Sequence, residues 1–255
     1  MIPARQPNDE ISGSFRTIEP AQQTAARVAG FTYLFATAVV VFANYALLNP
    51  LMVAGNAAET ARNILAHQTQ FRVIVVCFLI YSASVVVLLT ALYLVLKPIN
   101  RMLALIGALF RLVFGLLWLL TTLNMLSALR LLGSASYLQV FQADRLQALA
   151  RVHLGANFDD YYVGLPFFGL AATVCSYLWL KSGYIPKTLA AFGVISSAWC
   201  VLCAFIFLIF PDFNQTVNDY WFDSPMAIFE IALGFLLLFR GIRVQESPSP
   251  VPAAE

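Results

Sequence analysis

The sequence predicts an all-α fold, a polytopic six-helix transmembrane bundle with short amphipathic helices in its outer loops. Three observations carry that expectation. Six long apolar stretches run Val28–Leu48, Val73–Leu96, Met102–Leu126, Tyr161–Leu180, Leu189–Phe210 and Met226–Phe239. A hydrocarbon core about 30 Å thick takes roughly 20 apolar residues in helical form, and in lipid a continuous segment satisfies its backbone only as a helix. Hydrophobic residues make up 60% of the chain and charged residues 11%, less than half the share usual in a soluble domain. The Lys and Arg residues concentrate on alternate joints between the stretches.

That alternation sets the expected orientation. Arg5, Arg16 and Arg27 precede the first stretch, Lys97 and Arg101 join the second to the third, Lys181 and Lys187 join the fourth to the fifth, and Arg240 and Arg243 follow the sixth. The other joints are longer and carry acids, among them Glu59, Asp144, Asp159, Asp160, Asp212 and Asp223. The positive-inside rule therefore predicts a multi-pass protein of the cell (inner or plasma) membrane with both termini cytoplasmic. A net charge of +2 with scattered cations excludes a nucleic-acid footprint and leaves the lipid bilayer as the expected partner.

In chain order, residues 1–25 read as a flexible cytoplasmic tail, residues 26–243 as one six-span membrane domain and residues 244–255 as a second flexible tail rich in proline. The first apolar run is too long for the core of a cleaved signal peptide and reads as an uncleaved start-transfer helix. In the first outer joint, Asn56 with Glu59 three residues on resembles a capping box before an amphipathic helix over 56–70. Residues 142–154 show a second amphipathic pattern, so both segments are expected to lie on the outer surface or cap the bundle. Pro98 ends the second span. Gly183 suits a left-handed helix end, and Pro186 suits the first turn of the next helix.

Across residues 26 to about 210 the chain resembles bacterial integral membrane proteins of the domain-of-unknown-function 4386 family. The likeness is carried by Ala26-Arg27-Val28-Ala29-Gly30 with Tyr33-Leu34, by Phe71-Arg72, and by Leu96-Lys97-Pro98-Ile99-Asn100-Arg101. It continues in Phe110-Arg111-Leu112, Gly164-Leu165-Pro166-Phe167-Phe168-Gly169 and Ser182-Gly183-Tyr184-Ile185-Pro186. The resemblance implies the six-helix architecture and no particular activity, and Glu230 lies outside its motifs.

Charges inside the spans supply the candidate site. Arg111 lies mid-span ten residues beyond Arg101, and Glu230 lies ten residues before Arg240, which sets each about 15 Å from the inner face. A charge at that depth is costly and faces protein or water, and the stripe Gly107, Arg111, Gly115 points Arg111 into the bundle. Equal depth and opposite sign predict an Arg111–Glu230 ion pair, either a structural brace or the floor of an outward-opening ligand pocket. Asp159, Asp160, Arg72 and His153 are expected together near the outer mouth. There they would form a polar binding or proton-handling site, or serve as helix caps and interface anchors. Pro166 removes one rung of the helical ladder just below the two acids.

No cofactor is implied. Cys200-x-x-Cys203 has no second pair or nearby histidine to complete a metal site, and no phosphate-binding, dinucleotide, metalloprotease or nucleophile-elbow motif occurs. Binding or moving a small polar solute or ion through an outward-facing cavity is the leading functional reading. A membrane enzyme with His153 as general base oriented by Asp160 ranks below it, for want of a nucleophile or metal set. A non-catalytic accessory subunit is the third reading.

Overall fold

The computed structural model describes residues 18–133, 135–218 and 220–243. Among them are seven α-helices and no strand: α1 Pro20–Val41, α2 Ala57–Ala66, α3 Gln68–Leu96, α4 Arg101–Leu132, α5 Ala143–Ser182, α6 Lys187–Ile209 and α7 Tyr220–Phe239. All but α2 are long and apolar enough to cross a membrane. The protein is a multi-pass integral membrane protein. Of the tails expected over 1–25 and 244–255, residues 1–17 and 244–255 lie outside the described residues, and residues 20–25 of the first are already helical in α1.

Local sequence explains most helix ends. Pro20 opens α1 at its first helical position, after Glu19 in extended conformation. The helix thus begins eight residues before the apolar run, and Gln22, Ala25 and Ala26 of that extension are buried against its neighbours. Toward Pro50, α1 widens into a π-helical turn over Phe42–Leu48 and then tightens to a 3₁₀ turn at Asn49–Leu51. The Asn56 side chain accepts from Glu59 N at 3.0 Å and donates to Glu59 Oε2, while Asn56 N donates to Val53 O, so the N-cap half of the expected capping box forms at α2. Asn100 caps α4 through Leu103 N. Gly183 ends α5 at φ +65°, and Pro186 precedes α6.

Residues 142–154 do not form a separate surface helix. They are continuous with the fourth span in the 40-residue α5. At about 60 Å this helix is twice as long as the hydrocarbon core is thick, so about half of it projects from the membrane. Helix α2 packs against that projection, burying Ile64, Ala150 and Leu154.

The spanning helices close into a ring. Their main packings run α1–α3, α3–α4, α4–α5, α5–α6, α6–α7 and α7–α1. Each helix therefore has one directly opposite it: α4 faces α7, and α1 faces α5. Both described chain ends lie on one face, here called proximal, where Ile242 N donates to Gln23 Oε1. The α2 side is the distal face. The buried apolar residues form two separate clusters. A distal one includes Phe78, Phe114, Trp118, Leu165 and Phe222, and a proximal one includes Ala29, Leu92, Trp179, Leu233 and Leu237.

Candidate functional site

The plane between those two clusters holds the charged pair. On α4, Arg111 falls between proximal Ala104 and distal Phe114; on α7, Met226 is distal to Glu230 and Leu233 proximal. Arg111 Nη2 donates to Glu230 Oε1 at 2.7 Å. Because α4 and α7 stand on opposite sides of the ring, this bond crosses its centre. A second opposed pair, α1 and α5, grips the guanidinium. Its central carbon lies 5.5 Å from the Tyr33 ring on α1 and 5.1 Å from the Phe168 ring on α5, within cation–π range. Arg111 is 3% exposed, so the geometry compensates the charge by a carboxylate and two aromatic faces instead of water.

Small residues bring the helices close enough for this reach. A β-carbon at Gly107 would meet Cys175 Sγ of α5, and one at Gly115 would meet Val85 of α3. The expected stripe on α4 therefore serves two neighbours at once. Gly234 on α7 packs against Tyr33 and Leu34 of α1.

Distal to the pair the ring interior is closed by aromatic side chains. Phe114 stacks on Phe168 at 4.7 Å, Tyr81 meets Trp118 at 4.7 Å, and Trp118 meets Tyr161 at 6.5 Å. The sequence left the pair as a structural brace or as the floor of an outward-opening pocket; in this structure aromatic side chains lie directly distal to it. Aromatic side chains at 114, 118, 161 and 168, contributed by the neighbouring helices α4 and α5, pack together above it. On the proximal side, a narrow cleft with no room for a water-sized sphere borders Arg111, Gly107, Leu92 and Cys175.

Beyond the aromatic layer a second polar group forms on α4 and α5. Asp160 Oδ2 accepts from Thr121 Oγ1 at 3.1 Å and from Asn124 Nδ2 at 3.2 Å, and Asn124 Oδ1 lies 3.1 Å from His153 Nδ1. Asn124 must turn its amide nitrogen to the carboxylate, which aims its carbonyl oxygen at His153. Nδ1 is then the protonated ring nitrogen, an assignment that follows from the network. His153 and Asp160 are linked through this amide, not in direct contact. The direct orienting bond that the enzyme reading required is absent among the described residues.

The four residues expected at one mouth separate. Asp160 and His153 join through Asn124. Asp159 is exposed and lines a different groove, toward α6, since successive helical residues point about 100° apart. Arg72 is exposed on α3 and makes no ion pair among the described residues.

Sequence reading missed Thr121, Asn124, Tyr161 and Asp223. Thr121 had only a weak signal, because it lies about 80° around α4 from Arg111, at the edge of that face. Asp223 was masked by its position before the last apolar run. In the structure α7 starts at Tyr220, and Asp223 accepts a short hydrogen bond from the Tyr161 hydroxyl of α5. Pro225 inside α7 cannot donate to Trp221 O, and the Trp199 indole of α6 fills that vacancy at 2.8 Å.

Comparison with known proteins places the chain. The family model for a domain of unknown function, DUF4386, matches residues 28–241. The chain belongs to this family. The DUF4386 match extends past the motifs noted in the sequence and takes in Asp223 and Glu230. A protein of Archaeoglobus fulgidus described as uncharacterized is 27% identical over 174 residues, covering 68% of this chain and 86% of its own. No solved structure matches.

Proposed function

We propose that this DUF4386 protein binds, and in an opened state passes, a small polar solute or ion along the axis of its helix ring. In this reading the distal cluster of Thr121, Asn124, Asp160 and His153 receives the solute, and the Arg111–Glu230 pair is the closed barrier beneath it. The observation that carries the reading is the suspension of a charged pair at the ring centre by side chains from four helices. A brace between neighbouring helices would not need to cross the axis. Of the four buried side-chain polar atoms without a protein partner among the described residues, Arg111 Nε, Trp118 Nε1, Ser176 Oγ and Trp179 Nε1, the first two belong to the pair and to the aromatic layer above it. A polar guest would relieve both, and each unmet donor costs about 1–3 kcal/mol.

Orientation belongs to the same proposal: the proximal, cation-bearing face is cytoplasmic and the distal mouth opens outward. A cytoplasm-dependent reporter should then be active after Pro98 and silent after Gln215. The barrier is tested by single cysteines at Thr121, distal to the pair, and Gly107, proximal to it, in a background lacking the native cysteines, treated with an impermeant thiol reagent from the distal side. Labelling at 121, protection at 107, and gain of labelling at 107 on adding Glu230→Gln are expected. Protection at 107 with the pair broken would leave the accessory, purely structural reading in place.

A further inference from the structure

Between α5, α6 and the 3₁₀ turn Pro211–Gln215 lies a groove of about 470 Å³, separate from the Asp160 cluster and on the opposite side of α5. One carboxylate, Asp159, and one amide, Asn214, stand on it. The rings of Phe158, Tyr162 and Phe207 line it, with Tyr162 and Phe207 4.3 Å apart between centroids. Val163 and Leu208, each 44% exposed, continue it along the hydrocarbon-facing side of the helices.

Its depth follows from counting. Leu208 is 21 residues beyond Lys187 on α6, and Asp160, beside Asp159, is 21 residues before Lys181 on α5. Both separations are about 31 Å, one hydrocarbon thickness from the proximal cations. The groove therefore sits at the distal membrane–water boundary, with Val163 about 27 Å from the proximal cations on the acyl side, Leu208 at the boundary and Asp159 at headgroup level. No cation of the protein pairs with Asp159 among the described residues, where Arg111–Glu230 is the one ion pair.

We infer that this groove holds a phospholipid with an ammonium headgroup, its nitrogen on Asp159 and the aromatic rings and its acyl chain along Val163 and Leu208. A carboxylate beside ring faces is the combination that attracts an ammonium ion. The Asn214 amide can donate to the adjoining phosphate. A water-soluble amine would leave the apolar end uncovered, and an anionic lipid would set its charge against Asp159. The volume lies within the range of small-molecule sites.

The test uses the full-length protein in detergent, with lipid retention read by native mass spectrometry. Phosphatidylethanolamine and phosphatidylglycerol of matched chains are the competing probes, and free ethanolammonium is the third. Preferential retention of phosphatidylethanolamine is expected, falling about tenfold in Asp159→Asn, the scale of one partly desolvated ammonium contact. Asp160→Asn should keep the preference, which separates this site from the solute-binding reading above. Should Asp159→Asn not fold, Val163→Trp, which fills the apolar end, should abolish retention. Equal retention of the two lipids by the wild type, or an unchanged preference in Asp159→Asn, would overturn the inference. Displacement by millimolar ethanolammonium would also overturn it, pointing to a site for a free amine.

Discussion

The proximal and distal halves of the bundle differ in how their helices mostly meet, although each also holds a bond of the other kind, Gln22 to the Tyr184 hydroxyl in the proximal half and Trp199 to Trp221 O in the distal half. In the proximal half, helices meet backbone to backbone, and side chains tie down main-chain groups. A β-carbon at Gly30 would fall 2.4 Å from Leu238 N and 2.7 Å from Gly234 O. Gln22 Nε2 donates to Val95 O at 2.8 Å and to the Tyr184 hydroxyl at 3.2 Å, while Arg243 N donates to Tyr184 O. In the distal half, rings fill the interior, and polar side chains bond to one another across helices, as Asn124 and Thr121 do to Asp160, and Tyr161 to Asp223. Main-chain contacts at that closeness have no alternative geometry. A hydroxyl, amide or carboxylate can exchange its partner for water or a polar guest at small net cost. The distal half accordingly carries the contacts that can be exchanged, and the proximal half the close main-chain contacts that cannot.

The widest break in that comparison is at the plane between the halves. Glu230→Gln strands a buried guanidinium and should cost about 3–5 kcal/mol in an unfolding titration. Adding Arg111→Gln should recover part of the loss, and a strictly additive double-mutant cycle would contradict the direct contact.

Next in size is Gly30→Ala, which forces α1 away from α7. It should cost about 1–3 kcal/mol, because the colliding atoms are backbone and cannot rotate aside. A loss below a few tenths would show that the proximal seam yields, contrary to the contrast drawn above.

Tyr161→Phe removes the donor to Asp223 and should cost about 1–3 kcal/mol, with faster hydrogen exchange in the first turns of α7 as its local signature. Unchanged exchange there would mean that the bond does not fasten α7.

Asn124→Ala cuts the bridge between His153 and Asp160 for about 0.5–1.5 kcal/mol. The imidazole nitrogen shifts of His153 should then report a mixture of neutral tautomers in place of one.

The smallest effect, and of opposite sign, is expected at the distal projection of α5. A β-carbon at Gly155 meets nothing within 4 Å, so Gly155→Ala should stabilise by about 0.5–1 kcal/mol through helix propensity alone. Destabilisation would reveal a contact that the described residues lack.

Much of this architecture was legible in the chain. Hydrocarbon thickness imposes the helical segments, Asn56 with Glu59 and Gly183 mark helix ends through one or two local bonds, and the residue count from Arg101 and Arg240 puts Arg111 and Glu230 at one depth. Each depends on neighbours near in sequence or on the uniform geometry of a helix. The ring order of the helices does not, and it decides the rest. It sets α4 opposite α7, so that the Arg111–Glu230 bond crosses the centre with Tyr33 and Phe168 on its flanks. It turns Asp160 toward Asn124 and Asp159 toward Phe207, though the two acids are adjacent in the chain. It also draws Asp223 into helix α7 beside Tyr161, where hydropathy alone had left it in a loop. Depth and helix type are one-dimensional properties, fixed by hydrophobicity and by the 1.5 Å rise per residue. Which side chain meets which is fixed by the rotation and packing order of helices against each other, and only the folded bundle supplies those.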